Sequence, residues 1–83
     1  MTGRDVRNAR GRLGELWGLG RPLHAAELGR LLRLQGRDPG ATVLTWEREG
    51  PSGPAAVAIE AMLSGWRPDH FDEAVRAAWH AST

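Results

Sequence analysis

An all-α fold, a compact bundle of about five short helices, follows from three observations on this 83-residue chain. Apolar residues recur at three- and four-residue spacing in five separate stretches. Glycine and proline interrupt the chain between those stretches. No segment alternates polar and apolar residues between strand signals, and there is no internal repeat or low-complexity tract.

The first helix is expected from about Arg4 to Gly18, with Val6, Ala9, Leu13, Leu16 and Trp17 on one face and arginines 4, 7, 10 and 12 over much of the rest. Gly11 and Gly14 weaken it, each by roughly 1 kcal/mol relative to alanine. Gly18, Gly20 and Pro22 end it. The second helix starts near His24, which replaces the usual Ser or Thr cap. Leu23 and Leu28 are spaced as a hydrophobic staple, and Glu27 stands where a capping-box carboxylate belongs. Leu28, Leu31 and Leu32 form its buried stripe, and Leu34–Arg37 reads as a turn.

Asp38-Pro39 is a restart signal, an acidic N-cap followed by proline at the first helical position. The third helix then runs to about Arg48, with Val43 and Trp46 inward. The Gly50–Pro54 stretch ends it and caps the fourth helix, whose face is Ala55, Ile59, Met62, Leu63 and Trp66. Gly65 and Pro68 mark that helix's end. Asp69 caps an additional C-terminal helix, 69–81, carrying Phe71, Ala74, Val75, Ala78 and Trp79 on one stripe. Residues 1–83 form a single domain, because so short a chain has no room for a second core.

Composition narrows the function. Hydrophobic residues at 41% and charged residues at 25% are ordinary globular values. Without cysteine, neither a disulfide framework nor a Cys-based zinc site holds the fold. No apolar run approaches the ~18–20 residues that span a bilayer, and the N-terminus lacks the apolar stretch of a secretory signal. A soluble cytoplasmic protein with no membrane partner is expected. His24, His70 and His80 are scattered without metal-ligand spacing, so cap or surface roles are expected and no metal. Glu47, Glu49 and Glu60 show no paired-carboxylate pattern, Ser52, Ser64 and Ser82 no nucleophile context, and no Gly-rich stretch leads into Gly-Lys-Ser/Thr. Neither an enzyme nor a cofactor is expected. The four tryptophans would suit stacking on single-stranded nucleic acid, but each falls on an apolar stripe, where core packing is expected. Phe71 and Trp79 are the two that could instead cover the bundle or form a dimer interface.

Charge is unevenly spread. Every cation is an arginine, and residues Met1–Arg37 carry eight against three acids, a balance of +5. Residues Asp38–Thr83 carry three against seven, a balance of −4, which leaves the chain at +1. Such asymmetry suits one basic face that meets nucleic acid. A GC-rich coding bias would enrich Arg, Ala and Gly whatever the function, so the directions in which the arginines point decide between the two.

The stretch Leu23-His24-Ala25-Ala26-Glu27-Leu28-Gly29, followed by Thr42-Val43-Leu44-Thr45-Trp46-Glu47-Arg48-Glu49-Gly50, resembles the XRE-type, phage-repressor-like helix-turn-helix family. Members typically read L-T-x-x-E-L-A, then T-[IV]-S-x-W-E-x-G, then a proline-containing turn and an amphipathic helix, as Pro51, Pro54, Ile59 and Leu63 provide here. The resemblance covers about half the chain and implies a helix-turn-helix core over residues 23–66. Against that pattern the connection from Leu32 to Val43 is about four residues longer than the compact turn. Ala25 stands where many members carry glutamine, and Leu44 where a small polar residue is common.

The resemblance implies a double-stranded DNA partner. It places Thr42 and Thr45 on the exposed face of the recognition helix, where threonine meets base edges or a thymine methyl. Arg33, Gln35 and Arg37 lie in or beside the lengthened turn, the arginines as phosphate clamps or groove-entering side chains. Arg48 is a further phosphate contact. The expected function is transcriptional regulation of a phage or mobile-element kind, with a homodimer and a transcription-machinery component as candidate partners. The alternative is a protein-interaction module on the same scaffold, recruiting RNA polymerase or acting as an antitoxin without reading bases. It rests on the net-acidic Asp38–Glu49 segment, on Leu44 and on the extra C-terminal helix.

Overall fold

Thr2 starts the first helix one residue earlier than its periodicity alone suggests. In the computed structural model, which describes residues 1–81 with side chains described to Arg76, the Thr2 N–H donates to Asp5 Oδ2 at 2.8 Å. The Asp5 N–H returns the bond to Thr2 Oγ1 at 3.3 Å, closing a capping box. Bonding to the Thr2 backbone, then to its hydroxyl, holds the Asp5 carboxyl below its ordinary pKa. Five helices follow in order: α1 (Gly3–Leu16), α2 (Ala25–Leu31), α3 (Pro39–Glu49), α4 (Gly53–Leu63) and α5 (Phe71–Ala81). The described residues contain no strand. The fold is an all-α bundle.

Helix α3 sits between α1 and α2; α1 also packs on α4, and α2 on α5. Val6, Ala9 and Leu13 of α1 meet Leu28 and Leu31 of α2, Val43 of α3, Ile59 and Met62 of α4, and Phe71 and Ala74 of α5 in one core. Leu23 and Leu28, the staple pair, are both fully buried. Trp17 packs edge-on against Phe71, ring centroids 4.9 Å apart, and His70 donates from Nε2 to the Leu31 carbonyl at 2.9 Å. These two contacts tie the C-terminal helix to α1 and α2.

Two expectations are corrected, for Leu16 and Trp66, and Gly14 takes on a further role. Gly14 is buried and indispensable to packing: a Cβ there would run into the Arg21 carbonyl, so its missing side chain lets the 17–24 segment fold back along α1. Leu16 is 54% exposed. The buried arc of α1 spreads toward Arg10 instead, leaving Leu16 on its open edge. Trp66 is 52% exposed because α4 ends at Leu63. Gly65, at φ +118°, closes a C-terminal turn in which the Trp66 N–H reaches the Ala61 carbonyl, so helical spacing no longer aims Trp66 inward. The side chains of Ala78, Trp79 and His80 lie outside the described residues.

An ion pair between a half-buried arginine and a fully buried glutamate fixes the entry to α2. Glu27 is fully buried, and its two oxygens accept from Arg21 Nη1 and Nη2 at 2.7 and 2.9 Å. Its Oε1 also takes the His24 N–H at 2.8 Å, the capping contact expected from its position. Burial alone would push the Glu27 carboxyl up. The Arg21 hydrogen bonds, the His24 N–H and the adjacent charges outweigh it, so its pKa lies below the ordinary value near 4.5.

Candidate nucleic-acid interface

Seven residues, Leu32–Asp38, join α2 to α3. The two helices approach backbone to backbone, since a Cβ on Gly29 would come within 2.7 Å of Pro39. Asp38 caps α3, its Oδ1 accepting from the Ala41 N–H at 3.1 Å. Arg33, Gln35 and Arg37 are all exposed in the connection. Arg33 occupies the position after the α2 cap with φ +57°, while the following Leu34 N–H bonds back to the Gly29 carbonyl at 3.1 Å. Glycine normally takes this left-handed position, because a Cβ there costs roughly 1–2 kcal/mol. Arg33→Gly is therefore expected to raise unfolding free energy by up to about 1 kcal/mol in a urea titration. An unchanged or lower unfolding free energy would contradict this account of the Arg33 backbone.

The outer face of α3 differs from the one the resemblance implies. Thr42 and Thr45 are half-buried, and the exposed row is Ala41, Leu44 and Arg48, with Thr45 at its edge. These four residues follow the i, i+3, i+4, i+7 spacing of one helical face. Thr45 Oγ1 donates to the Ala41 carbonyl at 3.0 Å and accepts from Arg48 Nη2 at 3.4 Å. Its hydroxyl proton is thus engaged within the helix, as threonine in a helix interior commonly arranges. Trp46 is half-buried and packs against the core.

The basic residues converge where α1 meets α3. A Cβ on Gly3 would collide with the Glu47 carbonyl, so the N-terminus of α1 lies directly on the C-terminal end of α3. An open cleft of about 500 Å³ results, lined by Arg4, Arg7, Arg10, Leu44, Glu47 and Arg48. Arg10 Nη2 donates to both Glu47 oxygens at 2.7 and 3.1 Å, and Arg10 Nη1 to the Leu23 carbonyl at 3.2 Å. Glu47 is thereby neutralised from inside the fold. Arg7 lies 3.7 Å from the same carboxylate but is 78% exposed at its side chain, a contact that water screens. Arg4, Arg7 and Arg48 remain as exposed cations at the cleft mouth.

Sequence reasoning singled out Arg33, Gln35, Arg37 and Arg48, and all four are solvent-facing. It missed Arg4 and Arg7 as partners of Arg48. Their three-residue spacing was legible, but only the α1–α3 contact brings them beside Leu44 and Arg48. Among the described residues no group of His, Asp or Glu side chains could hold a metal ion, and no helix is long and apolar enough to cross a membrane. Ser52 caps α4, its Oγ accepting from the Ala55 N–H at 3.3 Å. No protein-family model matches the chain, and no curated protein or solved structure is significantly similar to it.

Proposed function

We propose that the protein binds double-stranded DNA and acts as a transcriptional regulator of the phage or mobile-element kind, with α2 and α3 as an XRE-type helix-turn-helix. The observation that carries this reading is the shared cleft in which Arg4 and Arg7 of α1 meet Leu44 and Arg48 of α3. An α-helix such as α3 is about 10–12 Å across with its side chains, a width the major groove, about 12 Å wide, admits. Arg33 and Arg37 precede its N-terminus, and Arg4, Arg7 and Arg48 cluster at its other end. Positive charge at both ends of a groove-sized helix suits the two phosphate rims of a duplex. One such module covers little DNA, so two copies on adjacent half-sites are part of the proposal.

The net-acidic Asp38–Glu49 segment favours the interaction-module reading, with a protein partner such as a polymerase subunit or a toxin. The Arg10–Glu47 pair weakens that case, since it neutralises one of the three acids concerned. Amide NMR spectra of labelled protein titrated with a short mixed-sequence duplex test the proposal. Perturbations are expected in residues 33–37, along α3 and at the start of α1, with α4 little changed. Shifts confined to α4 and α5, or none, would overturn it in favour of a protein partner.

A further inference from the structure

We infer that the outer face of α3 reads thymine methyl groups, with Leu44 as its main specificity residue; this rests on the DNA-binding reading above. The face consists of Ala41, Leu44, Thr45 and Arg48, and Leu44 is 50% exposed at its centre. None of the four offers an amide to pair with adenine or a carboxylate to accept from cytosine. Thr45 has committed its hydroxyl proton to the Ala41 carbonyl, and Arg48 extends one guanidinium nitrogen back to that hydroxyl. Beside the Arg48 guanidinium, what the face presents to solvent is a leucine side chain and an alanine methyl. On the floor of the major groove, the one group matching such a surface is the C5-methyl of thymine.

The occupant is further defined by charge. Leu44 shares its cleft with Arg4, Arg7 and Arg48, so whatever covers Leu44 brings anions along with apolar surface. A duplex does so by construction, with phosphates on the groove rims and methyl groups between them. The side chain that breaks the family pattern thereby acquires a task.

The test uses duplexes selected from a random pool by the intact protein. The enriched site is resynthesised with deoxyuridine for thymidine, which removes the methyl and keeps every hydrogen-bonding edge. Binding is expected to weaken about fourfold for each thymine whose methyl is covered. In L44A that difference shrinks, while salt-sensitive binding to bulk DNA persists. Equal affinity for the two duplexes, or an enriched site lacking thymine, overturns the inference. So does enrichment of no site at all while bulk DNA still binds, which leaves the DNA-binding reading standing. No binding to any duplex overturns both.

Discussion

Replacing Arg21 by methionine is expected to cost about 3 kcal/mol or more at pH 7, a large share of the roughly 4–12 kcal/mol that a domain of this size possesses. Arg21 donates through both Nη atoms to a carboxylate that has no contact with water. Methionine keeps much of the side-chain volume and removes the charge, so Glu27 is left buried with the His24 N–H as its remaining donor. Breaking a buried pair from one side is far more damaging than never having formed it. The double variant Arg21→Met/Glu27→Leu should therefore recover a large part of the loss.

The pH dependence separates this account from a general packing defect. In the wild type the folded Glu27 pKa lies below the ordinary value near 4.5. Its contribution is thus fully present above that value and lost as pH falls through the folded pKa. In Arg21→Met burial dominates, and the folded pKa rises above the unfolded one. The penalty is then full at neutral pH and fades as acid protonates Glu27 in both states. Urea titrations at pH 7 and pH 4 should show a markedly smaller difference between variant and wild type in acid. The same difference at both values would sink the explanation.

Much of the helical framework was legible in local chemistry. Asp38 caps α3 with Pro39 at its start, Leu23 and Leu28 are buried together, and Glu27 accepts the His24 N–H, each as its spacing requires. Contacts between distant segments were not legible. Arg10 and Glu47 are 37 positions apart, and their pairing exists only because Gly3 seats α1 on the end of α3. Arg21 lies between Gly20 and Pro22 in a stretch without periodicity, so nothing local links it to a buried acid. Leu16 lies at the open edge of the buried arc of α1, which tertiary packing sets, and Trp66 lies beyond the end of α4, where the 3.6-residue phase stops being informative. At the candidate interface, Arg33 and Arg37 stood out by lying in a polar turn. The resemblance implies an outward Thr42, whereas the packing of Val43 against the core sets the phase of α3 and turns Ala41 and Leu44 outward.

Reversing Arg4, Arg7 and Arg48 together to glutamate is expected to lower affinity for mixed-sequence duplex DNA by at least about 100-fold at physiological salt. All three side chains are exposed, and the Arg10–Glu47 pair that locks α1 to α3 stays intact, so the fold should survive the change. Each phosphate contact releases condensed counterions, contributing about 0.9 to the slope of log affinity against log salt. Losing three contacts should flatten that slope by roughly three. The most direct measurement is a fluorescence-anisotropy titration of the wild type and this variant with one duplex over a range of salt concentrations. The proposed interface predicts a steep wild-type slope that the three reversals reduce. Binding that is absent, or that ignores salt at tens of micromolar protein, would contradict it.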